Sequence, residues 1–196
     1  MNASVERAPS LQREWWLRTL AIFQSPRTVL AALRDDSREA ADARQEPVLA
    51  IVILAGIAGV LSTSLAGRLL DDPRFDGISI ATWAFLGGGF YGLLVYWLGG
   101  LMAHALAHGI GVRSSYRQAR HVVGLASAPV ALSLLLVWPA RVAIYGGDVF
   151  RSGGSDSGLG DWIFEGLVML SFAWFLGLVA LGLLELKRSS SSPVIS

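Results

Sequence analysis

Long apolar stretches alternate with short polar connections along this chain of 196 residues. Four stretches are long enough to cross the bilayer, since about 20 apolar residues in a helix span roughly 30 Å of hydrocarbon. Too little polar chain remains to wrap four such helices in a soluble fold. The pattern therefore predicts an all-α polytopic membrane helix bundle with four transmembrane helices. The predicted spans run from Val48 to Ala66, Ile78 to Gly100, Val122 to Tyr145 and Ile163 to Leu186.

The segment before the first span has a helical pattern of its own. In LQREWWLRTLAIF the apolar residues recur every three or four positions, which is typical of a helix with one apolar face. This helix is predicted to lie on the membrane surface. Its predicted anchors at the lipid headgroups are Trp15, Trp16, Leu20 and Phe23.

A second helix is predicted directly after the first. Ser25 suits a helix cap and Pro26 suits the first helical position, so a more charged helix should run from there to about Gln45. The resulting organisation has three parts. Residues 1–46 form a cytoplasmic segment of amphipathic helices, residues 47–187 form the transmembrane domain, and residues 188–196 form a disordered tail of low complexity.

Composition narrows the classes of function. Hydrophobic residues make up 53% of the chain and the formal net charge is +1, so no basic surplus is present to displace counterions from a nucleic acid. The chain has no cysteine, which excludes disulfides, thiolate metal sites and cysteine nucleophiles. The expected surroundings are therefore the lipid bilayer and other membrane proteins.

The distribution of basic residues predicts the orientation. Seven precede the first span, three lie between the second and third spans and two follow the fourth, against two in each remaining connection. Because basic residues concentrate on the cytoplasmic side, both termini are predicted to be cytoplasmic in a multi-pass protein of the cell membrane. The twelve predicted cytoplasmic residues are Arg7, Arg13, Arg18, Arg27, Arg34, Arg38, Arg44, Arg113, Arg117, Arg120, Lys187 and Arg188.

Small residues predict where the spans pack. Gly88 and Gly92 form a small-xxx-small pair on the second span, and Ala55 and Gly59 form another on the first. Such pairs allow close approach of two membrane helices. The glycine-rich second span is therefore predicted to be the packing centre of the bundle.

The third span carries two prolines, and charged residues adjoin the outer ends of two spans. Pro129 and Pro139 each lack a backbone donor and are predicted to kink the third span. Arg141 and Glu165 could pair, which would lower the cost of placing either charge near hydrocarbon. The interpretation favoured here is that each side chain reaches the interface separately.

His104 and His108 stand four residues apart, on one face of a helix, a spacing that can hold a transition metal. Only His121 remains as a third histidine, and no acidic residue lies near the pair in sequence. Hydrogen-bonding histidines at the headgroups are therefore the favoured interpretation, and no metal or cofactor is expected. The chain also lacks a Gly-x-Ser-x-Gly motif and the residue sets of intramembrane proteases, so no enzymatic activity is predicted.

The order of several short motifs resembles a known family. WWLRTLAIFQSPRTVLAAL contains an aromatic-rich helix followed by F-x-x-P, and SYRQARHVVGLASAPVALSLLL contains a Ser-Tyr-Arg-Gln entry to a span with Ala128-Pro129. With a second span that ends in HALAHGIGV, this succession is similar to the Yip family of Ypt-interacting membrane proteins, and the chain is interpreted as a prokaryotic-type member. The resemblance covers residues 11 to 140.

The resemblance implies a helical integral membrane domain with a cytoplasmic amino terminus and no known catalytic centre. In eukaryotic members it implies association with small GTPases and vesicle traffic, whereas prokaryotic members have no settled role. The family usually has five spans and this sequence offers four. The leading hypothesis is thus a noncatalytic protein that acts through protein interaction or membrane organisation, with lipid, other membrane proteins or further copies of itself as partners. The alternative is a small oligomeric permease that uses the proline-containing third span.

Overall fold

The computed structural model describes residues 3–63, 71, 77–146, 149 and 158–190. Within these ranges all regular structure is helical, and a short 3₁₀ turn at Ala32–Arg34 follows the second helix. The helices are α1 (Ala3–Ala21), α2 (Pro26–Ala31), α3 (Arg38–Leu61), α4 (Gly77–Gly109), α5 (Tyr116–Ala126), α6 (Ala128–Tyr145) and α7 (Leu159–Ser190).

Four helical segments are long and apolar enough to cross a membrane, and they confirm the predicted all-α bundle with four transmembrane helices. They are Arg38–Leu61, Ile78–Gly109, Tyr116–Tyr145 and Leu159–Arg188. Large apolar side chains on α4 and α7 point away from the protein, as expected for surfaces that face lipid. The predicted disordered tail, 188–196, lies mostly outside the described residues, although α7 continues to Ser190.

The segment between α1 and the first span differs from the predicted long charged helix. α2 has only six residues, and the chain leaves helical structure at residues 35–37. The side chain of Ser37 then accepts a hydrogen bond from the backbone N–H of Ala40 (3.3 Å) and caps α3. α3 runs from Arg38 through Pro47 into the first span, so the expected boundary at residues 46 and 47 lies inside one helix.

The third span consists of α5 and α6, joined through Ser127. Ser115 starts α5 with a capping box, in which its side chain bonds the backbone of Gln118 and the Gln118 side chain bonds back. The interruption follows from Pro129, which has no N–H to donate to the carbonyl four residues earlier. Backbone hydrogen bonds from Ser127 to Val123 (3.1 Å) and from Ala131 to Ser127 (3.0 Å) still bridge the junction. Pro139 lies inside α6.

The packing centre is α3 with α5, and the prediction that the second span forms the centre is wrong. α3 contacts α1, α4, α5 and α6. Half of the first span and 67% of the third are buried, against 22% of the second. The glycines of α4 bring it close to α3 and, at Gly100 beside Arg120, to α5, while large side chains on its remaining surface are open to lipid.

That close contact is made by glycine backbones. A Cβ atom added to Gly56 would lie 2.1 Å from the Gly88 carbonyl oxygen and 2.6 Å from Gly92 Cα, whereas one added to Gly59 would meet only the Tyr91 ring, at 3.1 Å. Gly88 and Gly92 thus both lie against the first span. Gly56, rather than the predicted Ala55, is the residue of α3 at the nearest approach, because the rotation of α3 points position 56 at α4.

Candidate functional site

A fully buried arginine joins several elements on the face of the bundle where α1 and α2 lie, which we call the amino-terminal face. The Arg44 side chain is 0% exposed. Its Nε donates to His121 Nδ1 (2.9 Å), and its two terminal nitrogens donate to the Asp35 carbonyl (2.7 Å) and to Asp36 Oδ1 (3.4 Å). The guanidinium carbon also lies 5.7 Å from the centre of the Trp15 ring. α1, residues 35–37, α3 and α5 therefore meet at one side chain.

A second arginine completes the cluster. Arg117, at the start of α5, donates from Nε to Asp36 Oδ1 (2.8 Å) and from a terminal nitrogen to the Asp36 carbonyl. Burial raises the pKa of Asp36, but the hydrogen bond from Arg117 and the charges of Arg117 and Arg44 outweigh it, so the pKa lies below 3.8. We call Trp15, Asp36, Arg44, Arg117 and His121 the Arg44 cluster.

A neighbouring ion pair fixes the 3₁₀ turn to the end of the last span. Arg34 donates to the Glu185 carbonyl (2.9 Å) and to the Glu185 carboxylate (3.0 Å), whose side chain is only 6% exposed. Gln118 donates to the carbonyls of Leu33 and Arg34 (both 3.3 Å). The amino-terminal segment, the start of α5 and the carboxyl end of α7 consequently share one face, as four spans require.

The predicted headgroup anchors in and next to α1 differ in how far they are buried. Trp15 is 3% exposed and packs against the Arg44 guanidinium, so the prediction that it faces the headgroups is wrong. Phe23 packs edge-on against Trp174, with ring centres 5.7 Å apart. Trp16 and Leu20 are 40% and 69% exposed, and their contact with headgroups stays a prediction.

The paired histidines lie at the amino-terminal face. The rings of His104 and His108 are 4.3 Å apart, and His108 Nδ1 is hydrogen-bonded to the His104 carbonyl (3.1 Å). Tyr116 stacks edge-on with His104 at 6.2 Å. Across the ranges that the structure describes, no group of three or more His, Asp or Glu side chains could hold a metal ion.

On the opposite face, Arg141 forms an ion pair with Asp161, in the first turn of α7. Both side chains are mostly buried, at 14% and 17% exposed, and the Arg141 guanidinium lies 5.8 Å from the Trp138 ring. Arg141 is therefore separate from Glu165, as in the favoured interpretation, but its partner Asp161 was not foreseen. Glu165, one turn after Asp161, is exposed. An acid in the first turn of a helix is favoured by the helix dipole, which was the available signal for Asp161.

Sequence reasoning also missed the central role of Arg44, which entered only as one charge of the orientation pattern. A helical signal was present, because Arg44, Val48 and Val52 are spaced four apart and share one face. Val48 and Val52 are 0% and 2% exposed. An arginine on the apolar stripe of a span is expected to be buried with partners.

These features define a class of protein, a multi-pass α-helical membrane protein with short helices clamped to one face of its four spans. The chain matches the Yip1 domain over residues 20–195, and it belongs to that family. The family consists of membrane proteins that are generally not enzymes. No curated protein and no solved structure matches the chain.

Proposed function

We propose that this protein is a noncatalytic scaffold of the cell membrane, which acts through protein interaction or membrane organisation by means of α1. The observation that supports this is the clamping of α1. The Arg44 cluster and Ile22, which directly follows the helix and is 0% exposed, hold one side of α1 on the bundle. The other side leaves Leu17 61% and Leu20 69% exposed. A partner or the bilayer is expected to cover this apolar edge.

The chemistry of the Arg44 cluster favours a structural role. Arg44 joins α3 to residues 35–37 and to His121 of α5, and Asp36 is shared between Arg44 and Arg117. Of these charges Arg44 is fully buried, and a buried charge that is paired in this way can hold elements in register. A carboxylate bound by two guanidinium groups is a poor general base, because both cations stabilise its ionised form.

We further propose that the amino-terminal face is cytoplasmic, so that both termini lie in the cytoplasm. Arg34, Arg44, Arg117 and Arg188 all lie on this face and make ion pairs there. Basic residues are enriched on the cytoplasmic side of membrane proteins. The clamped α1 would then meet cytoplasmic partners.

The alternative function, a small permease, has less support. The junction at Ser127 is bridged by backbone hydrogen bonds, and the adjacent cavity, lined by Ala55, Ser127 and Phe172, measures about 70 Å³. Such a volume holds only a few waters. Contact between α3 and α4 at Gly56 and Gly92 closes one side of it.

The scaffold proposal can be tested by photo-crosslinking in native membranes. A benzophenone amino acid placed at Leu17 or Leu20 should give discrete adducts with a protein partner. The matched control is Leu101 on α4, which is also exposed, at 55%, but lies far from α1 in sequence and on another helix. Identical adducts at all three positions would contradict a specific role of α1. Uptake of solute by purified protein in liposomes would instead favour the permease.

A further inference from the structure

We propose that a groove beneath α1 binds a phospholipid, with one acyl chain between α3 and α6 and an anionic headgroup near Arg13. α1 roofs this groove with Trp16 and Leu20. Its walls include Leu54 of α3 and Leu132 and Leu135 of α6. The proposal requires only that the spans lie in a bilayer, and it does not depend on the proposed scaffold function.

The chemistry of the groove selects a hydrocarbon occupant. Its volume is about 320 Å³, and binding pockets for small molecules typically measure about 300–1,000 Å³. The polar side chain in its lining, Thr19, already donates its hydroxyl to the Trp16 carbonyl (2.7 Å). Ordered water needs two to four polar partners, which these walls do not offer. An apolar ligand is therefore the stable filling.

The position of the groove makes the bilayer the source of that ligand. Both walls belong to candidate membrane spans. Two residues of its lining are largely exposed, Leu135 of α6 at 56% and Leu20 of α1 at 69%. The groove therefore opens sideways onto the surface that faces lipid. A lipid chain can enter from the hydrocarbon layer without crossing water. α1 would then lie across the groove at the level of the headgroups.

The charges next to the roof favour an anionic headgroup. Arg13 lies one turn before Leu17 on α1 and is exposed, with no ion pair or hydrogen bond to any residue that the structure describes. Arg18, by contrast, is already paired with Glu14. Arg27, in the first turn of α2 and four residues after Phe23, is also exposed and without a partner in the same ranges. Unpaired guanidinium groups at the membrane surface attract anionic lipids.

The test uses the full chain in liposomes of phosphatidylcholine that contain a small fraction of phosphatidylglycerol with a photoreactive group on its acyl chain. Adducts are mapped by mass spectrometry. In the wild type, labelling of Leu54 and Leu132 should saturate as the probe fraction rises. An excess of unlabelled phosphatidylglycerol should reduce it at least fivefold more than the same excess of phosphatidylcholine.

Leu132→Trp should fill the groove and lower the saturable labelling at least fivefold. Leu136→Trp is the matched control, because Leu136 lies one turn further along α6, is 61% exposed and does not line the groove. Leu54→Trp tests the opposite wall. Replacing both Arg13 and Arg27 with Gln should remove the preference for phosphatidylglycerol while the fold is retained.

Three outcomes would overturn the proposal. They are labelling that rises linearly with probe in the wild type, equal competition by both lipids, and equal labelling of folded Leu132→Trp and Leu136→Trp. If neither groove-filling variant folds, saturation and competition in the wild type decide alone. None of these outcomes changes whether α1 crosslinks to a protein partner. The proposed lipid site can therefore be refuted while the proposed scaffold function is retained.

Discussion

The glycine contact between α3 and α4 predicts that a single methyl group at residue 56 destabilises the bundle. In Gly56→Ala the new Cβ atom would lie 2.1 Å from the Gly88 carbonyl oxygen and 2.6 Å from Gly92 Cα. Carbon atoms pack best at about 3.5–4.0 Å, so the two helices would have to part by about 1 Å or more. The opposing atoms belong to the backbone and cannot move away by a change of rotamer.

The expected magnitude follows from two opposing terms. Overpacking a filled interior typically destabilises by about 1–3 kcal/mol. Replacing glycine with alanine inside a helix gains up to about 1 kcal/mol of helix propensity. Gly177→Ala isolates the second term, because a Cβ atom added to Gly177 would have no heavy atom within 4 Å. Because both variants gain the second term, it cancels, and we expect Gly56→Ala to be less stable than Gly177→Ala by roughly 1–3 kcal/mol.

The assay is reversible unfolding in mixed micelles, followed by circular dichroism, with the two variants and the wild type compared under the same conditions. Gly177→Ala should unfold at or slightly above the wild-type midpoint, and Gly56→Ala clearly below it. Equal midpoints for the two variants would refute the argument. They would mean that α3 and α4 do not approach at Gly56 in the folded protein.

Three further predictions concern the amino-terminal face. Arg44→Met should loosen α1, because it removes the cation beside the Trp15 ring and leaves buried His121 without its donor, typically at about 1–3 kcal/mol, while Asp36 keeps Arg117. Faster proteolysis after Arg18 than in the wild type measures this, and unchanged protection would contradict it. The pKa of Asp36 is lower in the folded protein than the ordinary value of 3.8. The ionised carboxylate therefore stabilises the fold above about pH 4, and this stabilisation is lost as the pH falls and Asp36 becomes protonated. The same proteolysis with an acid-active protease should therefore accelerate below about pH 4, and less so in Asp36→Asn. Replacing both His104 and His108 with Ala should lower the unfolding midpoint less than Gly92→Leu, with no loss of bound metal by elemental analysis.

The number of spans could be predicted from the sequence because length and apolarity are physical requirements for crossing a bilayer. The choice between Ala55 and Gly56 could not. Both are small residues on the same helix, and the surrounding positions are nearly all apolar, so the pattern does not define which side of α3 faces α4. Only the packed helices determine that rotation.

The Arg44 cluster was beyond sequence reasoning for a different reason. Arg44 and His121 are 77 residues apart, and Arg34 and Glu185 are 151 residues apart. Periodicity reports only local structure. Helical spacing could place Arg44 on the buried face of α3, but its partners depend on where the third span packs. The capping box at Ser115, which is local, could be foreseen as a helix start.

The long separation between Arg44 and its partner has a consequence for biosynthesis. α3 emerges from the ribosome well before His121 and Arg117 exist, so a newly inserted first span must keep its arginine hydrated at the membrane surface. Arg44 gains its bond to His121, and Asp36 its bond to Arg117, only after α5 has entered and supplied those side chains. A nascent chain truncated before residue 116 should therefore hold Arg44 without its partner on α5, and the Arg44 cluster is completed as a late step, after insertion of the third span.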